Sequence, residues 1–262
     1  MSPLSGILVL DLTHVLAGPF ASGTLSDLGA RVIKVERPKT GDDTRAFPPF
    51  LDGESAYFAA LNAGRQSIAL DLHADADRTV FEALLARADV VLENYRPGVM
   101  ERLGYGFDAL HERFPQLIYG AVSGFGHTGP EAGKPAYDMV VQARGGVMSI
   151  TGEEGGPPVR VGASIGDIAA GMYLAQGVLA ALYARERSGE GQYVGVSLLR
   201  AALAMQSARM IWAEGEAHDI GRDMRAGGVT GIQPAREGDL YLSANTPRFW
   251  KALCRLTGLD VL

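Results

Sequence analysis

Apolar positions along the chain fall into short continuous runs separated by stretches of helical spacing. GILVLDL (6–12) is a run of strand length. The segment after it, VLAGPFASGTLSDLGA, has Pro19 placed for the first turn of a helix and Gly29 placed to end it. RVIKVE (31–36) reads as a second strand, and strand, helix and strand at this spacing make a βαβ unit with parallel pairing. QSIALDL (66–72), DVVLEN (89–94) and LIYGAVSGFG (117–126) are further strands. An amphipathic helix, DADRTVFEALLARA (75–88), lies between the first two of these. Two helices are expected at about 138–150 and 165–187, the second ending with Arg in its last turn and Gly after it. YVGVSL (193–198) reads as a strand that leads into the helical LLRAALAMQSARMIWAEG. This alternation predicts an α/β fold with a Rossmann-like, doubly wound parallel sheet. RPKTGDDTRAFPPFLDGESAYF (37–58) is too long for a simple connector, and loops of that length are often functional.

Near residue 222 the pattern changes to RDMRAGGVTGIQPAREGDLYLSA, a loop followed by a strand. A large domain is therefore expected at 1–221, and the start of a smaller α+β domain at 222–262. The last residues, LTGLDVL, come straight after a helical pattern at 247–257, so the second region reads as unfinished. There is no internal repeat.

Composition narrows the function classes. Apolar residues make up 47% and charged residues 21%, an ordinary globular balance. A net charge of −6 argues against a general nucleic-acid role, although basic residues can still gather around an anionic ligand. The single cysteine, Cys254, allows neither an internal disulfide nor a cysteine-based zinc cage. Five scattered histidines show no ligand pairing, so no metal site is expected. The first residues have no basic region of a signal peptide, and a cytoplasmic location is expected. No segment reads as long and apolar enough to span a bilayer; the richest, from Ile165 to Leu182, carries Asp167, Gln176 and several glycines.

A nicotinamide-binding reading fails at the first strand-to-helix turn, DLTHVLAGP, which lacks the glycine fingerprint. SGFGHTGP (123–130) suits either a tight turn or a close approach of backbone to ligand. Asp138, in KPAYDMVVQA, suits the N-terminus of a helix and is also a potential nucleophile. Asp167, in SIGDIAAG, is equally ambiguous. Arg37, Lys39, Arg45, Arg65 and Arg96 fall near predicted strand ends. Singly they read as solvated charges; as a set at the carboxyl ends of a parallel sheet they suit phosphate.

Six ordered blocks together resemble the class III CoA-transferases, whose fold the α-methylacyl-CoA racemases share. The blocks are VLDLTHVLAGPFASGTLSDLGARVIKVERPKTGDDTR, LNAGRQSIALDL, ENYRPGVMERLG, SGFGHTGP, KPAYDMVVQARGGVMSITG and SGEGQYVGVSLL. The resemblance implies that Asp138 attacks an acyl-CoA thioester, forming a mixed anhydride and then an aspartyl-CoA thioester. It implies CoA contacts at His14, Val15, Ala17, Arg37, Arg65, Leu70, Asn94, Tyr95, Arg102 and Lys134. It also implies a substrate pocket at Leu16 and Tyr137, and a lid at Gly227, Gly228 and Gly231. The partners it implies are acyl-CoA and a small carboxylate as substrates, with no tightly bound cofactor, in an interlocked homodimer. It further implies a segment that returns after the small domain to complete the large one, and by that comparison the chain is expected to be incomplete.

Three departures carry information. Leu16 stands where formyl-CoA:oxalate enzymes have glutamine, and the general look of the GDDTR and SITG blocks leans toward dicarboxylates with succinyl-CoA as donor. The glycine-rich lid is thinner than in many relatives. Tyr137 stands where the racemases have histidine, and a phenol is a poorer proton acceptor than imidazole at neutral pH. Racemase activity, or CoA binding without turnover, are the alternatives.

Overall fold

The computed structural model describes residues 2–153, 155–207, 210, 214–215 and 229–259. The chain forms two compact units, Met1–Thr151 with Pro158–Ala213, and Gly152–Pro157 with Glu214–Leu262. The division expected between 221 and 222 lies outside the described residues.

In the first unit β1 (Leu8–Asp11), α1 (Ala17–Asp27) and β2 (Arg31–Glu36) form the βαβ start. Within the long 37–58 stretch, a 3-10 turn at Asp43–Ala46 precedes a hairpin of β3 (Phe50–Leu51) and β4 (Glu54–Ser55), and α2 (Ala56–Asn62) follows. Next come β5 (Gln66–Ala69), α3 (Asp75–Leu85), β6 (Val90–Glu93), α4 (Val99–Leu103), α5 (Phe107–Arg113) and β7 (Ile118–Ser123). The unit continues with α6 (Asp138–Arg144), α7 (Ile165–Ser188), β8 (Tyr193–Ser197) and α8 (Leu198–Ala204). The expected helix at 138–150 is shorter because Gly145 and Gly146 interrupt it: Gly146 takes a φ of 80°, and a 3-10 turn, Val147–Ile150, replaces the last turns. The sequence pattern did not reveal α2, α4 or α5.

The six long strands pair in the order β5-β2-β1-β6-β7-β8, all parallel. Numbered along the chain this is the doubly wound order, with its reversal between β1 and β6, where ligand crevices form outside the carboxyl ends of the strands. Period-two alternation supplies two cores. Val9, Val32, Val90, Leu92, Ile118 and Val122 pack on one face with α1, α7 and α8. Leu10, Ile33, Val35, Val91, Tyr119 and Ala121 pack on the other with Phe81 and Leu85 of α3, Met100 of α4 and Leu110 of α5. Burial on both faces is why these strands read as continuous apolar runs.

Among the described residues, α7 does reach the length and apolarity that crossing a membrane would need, contrary to the expectation from sequence. Half of its most apolar window is buried inside the protein. Its Ala169, Ala170, Leu174, Val178 and Ala181 belong to the core, which accounts for its apolar composition. Gly171 lets it approach α1 closely: a Cβ there would lie 2.6 Å from the Ala17 carbonyl oxygen. The helix ends as expected, at Gly189 with φ 74°.

The second unit contains an antiparallel pair, β9 (Val229–Pro234) with β10 (Asp239–Ala244), followed by α9 (Pro247–Thr257). Thr246 caps α9 through the Phe249 N–H, Pro247 occupies its first turn and Gly258 closes it at φ 71°.

Candidate active site

A cleft of about 260 Å³ opens where the strand order reverses. The loop after β1 contributes His14, Val15, Leu16 and Ala17, and the loop after β6 contributes Asn94, Tyr95 and Arg96. Lys134, Tyr137 and Asp167 complete its polar wall. Two adjoining recesses, of about 160 and 520 Å³, extend past Arg37; Tyr95 lines all three spaces. The larger recess is bounded by Arg37, Lys39, Leu70, Leu72 and His73.

The loop after β1 is held by partners distant in sequence. Asn94 accepts from the His14 N–H at 2.9 Å and donates to the His14 carbonyl at 2.7 Å, tying the two loops together across the reversal. Val15 sits at φ 69°, unusual for a β-branched residue, and its N–H donates to Asp42 Oδ1 at 3.2 Å. Lys34 is buried within β2; its Nζ donates to the Thr13 carbonyl at 2.6 Å and pairs with Asp42 Oδ2 at 2.9 Å. Burial would raise the Asp42 carboxyl, but Lys34 and the Thr44 donors hold it below its ordinary value. Burial lowers the His14 imidazole, more than Asp42 and Asp43 raise it. His14 is therefore neutral at physiological pH, with its ring 5.4 Å from that of Tyr95.

Asp138 is buried behind the cleft rather than among its lining residues: its exposed neighbour Tyr137 and its contact Asp167 line the space, and Asp138 itself does not. It does not cap its own helix: Tyr137 is the N-cap of α6 and provides no side-chain bond. The Asp138 carboxylate reaches the first turn of α7 instead. Its Oδ1 accepts from the N–H groups of Gly166 at 2.8 Å and Asp167 at 3.3 Å. These are orphan donors at the positive end of a long helix. Its Oδ2 accepts from Gln142 Nε2 at 2.6 Å, one turn further along α6. Burial, and then the Asp138 charge, raise the Asp167 carboxyl to about 7.

The sequence-predicted residues divide into three groups. His14, Val15, Leu16, Ala17, Asn94, Tyr95, Lys134 and Tyr137 line the cleft, while Arg37 and Leu70 meet Tyr95 at the larger recess. Arg102 is exposed on α4 and lines none of the three spaces. Arg65 is not in the cleft either. Its side chain is 1% exposed and pairs with the fully buried Asp11 at 3.2 Å, and its guanidinium also donates to acceptors of α1 and α2. Arg45 is likewise engaged, bidentate on Glu36; of the suggested phosphate-binding set, Arg37, Lys39 and Arg96 line these spaces, and the exposed Arg37 is also paired with Asp43. Gly231 lies in β9 of the second unit; Gly227 and Gly228 fall outside the described residues.

Lys34, Asp42, Gln142 and Gly166 escaped the sequence reading. A lysine inside an apolar strand, and a glutamine four residues after the aspartate on a helix, were the available signals. No local signal marks Gly166.

The profile of CoA-transferase family III matches residues 4–262. An acetyl-CoA:oxalate CoA-transferase of Acetobacter aceti is 45% identical over 264 residues, covering 99% of this chain and 68% of that protein. A succinyl-CoA:mesaconate CoA-transferase of Haloarcula hispanica is 47% identical over 207 residues, covering 76% of this chain and 52% of that protein. The crystal structure of a CAIB/BAIF family protein from Brucella suis superimposes with a TM-score of 0.89 at 35% identity, covering all of this chain and 71% of that one. The chain thus spans about half to two thirds of the length of these curated relatives.

Proposed function

The chain belongs to CoA-transferase family III, and from that premise we propose that it moves CoA between carboxylic acids with Asp138 as nucleophile. The observation that carries this reading is the buried Asp138 carboxylate, anchored on the first turn of α7 directly behind Tyr137 and Asp167, which line the cleft at the strand reversal. A carboxylate is a weak nucleophile, so most of the rate must come from orientation, worth roughly 7–11 kcal/mol when the reacting atoms are well placed. The three linked spaces suit an elongated ligand. The thioester end lies at Tyr137, the pantetheine arm passes His14, Asn94 and Tyr95, and the adenine and phosphate end lies at Leu70, Arg37 and Lys39. Val15 and Ala17 form the turn against which the arm packs, and Lys134 supplies positive charge beside the reacting centre. Leu16 and Tyr137 line the acyl pocket. Arg65 supports the site from within the core rather than contacting CoA.

Asp138 attacks the acyl-CoA carbonyl and expels the thiolate, leaving a mixed anhydride. The thiolate then attacks the aspartyl carbonyl to give aspartyl-CoA, and the acceptor carboxylate repeats the exchange in reverse. Exclusion of water keeps the anhydride from hydrolysing. The relatives named for oxalate and mesaconate both act on dicarboxylates, which supports a dicarboxylate acceptor; the mesaconate enzyme's name supports succinyl-CoA as donor. The protein works as a homodimer on acyl-CoA and a small carboxylate, in the cytoplasm. Incubation with succinyl-CoA and a panel of dicarboxylates should give CoA exchange, with a hydroxylamine-trapped adduct at Asp138 by mass spectrometry. Normal exchange by Asp138→Ala would overturn the mechanism.

A second reading, racemisation next to the thioester, draws on Asp167, which lines the same cleft as the neutral His14 and titrates at about 7. Deuterium entering the α-carbon of a chiral 2-methylacyl-CoA without acyl exchange would favour it.

A further inference from the structure

We propose that Gln142 is a positioning residue that gives the two oxygens of Asp138 different tasks: Oδ2 attacks, and Oδ1 stays behind as the carbonyl oxygen of the acyl-enzyme. This inference rests on the transferase reading above. Gln142 is fully buried, and its amide has one consistent orientation. Its Oε1 accepts from the Val161 N–H at 2.9 Å, while its Nε2 donates to Asp138 Oδ2 at 2.6 Å and faces the Ala163 carbonyl at 3.3 Å. Turning the amide over would set an oxygen against two acceptors and an NH2 group against a donor. The backbone of residues 161–163 therefore dictates that Gln142 presents a donor to Asp138.

The other oxygen faces a different environment. Oδ1 lies on two backbone N–H groups of the first turn of α7, and Gly166 leaves room for it: a Cβ there would stand 3.1 Å from Oδ1. Fixed backbone donors suit an oxygen that must carry negative charge during attack on its own carbon. In the first step Oδ2 bonds to the thioester carbonyl carbon, the carbon–sulfur bond breaks and the electron pair leaves with the CoA thiolate. In the second step the thiolate attacks the Asp138 carboxyl carbon, and the charge passes to Oδ1, facing Gly166 and Asp167 N–H. Collapse breaks the bond to Oδ2, which leaves in the donor acid's carboxylate. The Gln142 amide, a neutral donor, restrains Oδ2 before attack without neutralising it.

The test compares wild type, Asp138→Ala, Gln142→Leu and Gln142→Glu as full chains, with succinyl-CoA and the best dicarboxylate from the panel above. Readouts are kcat, KM for succinyl-CoA, and the pH profile of kcat. Gln142→Leu should lower kcat roughly 10–100-fold, the scale of a misplaced reacting group, with KM changed less than about threefold. Gln142→Glu keeps the acceptor for Val161 but must be protonated to donate, so its alkaline limb should move to lower pH. A purely structural role would not give Gln142→Glu a displaced alkaline limb that Gln142→Leu lacks. Wild-type kcat and pH profiles in both variants, or losses that follow only the folded fraction measured by near-UV circular dichroism, would overturn the assignment. If Gln142→Leu does not fold, the alkaline limb of the isosteric Gln142→Glu decides alone. A wild type without exchange, or an Asp138→Ala that exchanges normally, would instead sink the transferase reading.

Discussion

Replacing Arg65 by alanine should unfold the first unit more readily while leaving acyl-CoA recognition by the folded protein nearly intact. The Arg65 guanidinium is bonded to Asp11 Oδ2 at 3.2 Å, to Asn62 Oδ1 at 2.9 Å, and to the carbonyls of Pro19 and Leu61. Both charged side chains are sealed from water, at 1% and 0% exposure. Removing one partner of a buried pair costs about 3–5 kcal/mol, because the other charge stays buried without compensation. Asp11 keeps donors from Thr13 and Ser22, which places the expected loss toward the lower end of that range. In a chain of this length each kcal/mol moves Tm by about 2–4 °C, so a fall of roughly 6–20 °C is expected. Thermal unfolding by circular dichroism measures it, and KM for succinyl-CoA below the transition measures binding. Arg65→Lys should be intermediate, since an ammonium cannot span the four acceptors that the planar fork reaches. An Arg65→Ala protein with Tm within about 2 °C of wild type and a clearly raised KM would refute this and return Arg65 to the CoA site.

Three further outcomes follow from the same geometry. Asp167 holds a proton in the folded state up to about 7 that the unfolded chain loses near its ordinary value of 3.8, so its contribution to stability falls as pH rises through that window. The Tm advantage of Asp167→Asn should therefore be larger at pH 8 than at pH 5; equal advantages would refute the burial argument. Burial raises the Glu36 carboxyl, but Arg45, Ser67 and the Asp42 N–H outweigh it and bring it to about 2 from 4.5. That stability is present above the unfolded value and is lost as pH falls toward 2, so Glu36→Gln should flatten the acid limb of a Tm–pH curve. Gly166→Ala sets a Cβ 2.8 Å from Val141 Cγ2 and 3.1 Å from Asp138 Oδ1, and should reduce exchange activity while Tm changes little. Its crowding is partly offset by alanine's helical advantage of about 0.5–1 kcal/mol. A fully active variant would show that Oδ1 is not held at this contact.

The sheet was legible because burial on both faces leaves a local trace: RVIKVE became β2 residue for residue, and the other long strands fell within one to three residues of their apolar runs. The end of α7 was legible because Gly189 and the preceding arginines are local signals. The short helices α4 and α5 were not, since five to seven residues carry too little periodicity. Around the site, the sequence by itself determined which residue types are available: a carboxylate at a helix start, a tyrosine before it, and basic residues after the strands. It left Asp138 between a cap and a nucleophile, because both readings ask for the same residue at the same place. Only the tertiary structure carried its carboxylate off its own helix and onto α7, 28 residues away, and set Gln142 against its other oxygen. It likewise moved Arg65 from the expected CoA site to a buried pair with Asp11, 54 residues away. The physical reason is the same in both cases. The direction in which a charged side chain points is set by which buried acceptors and orphan donors need it, and those come from segments that meet only when the sheet closes.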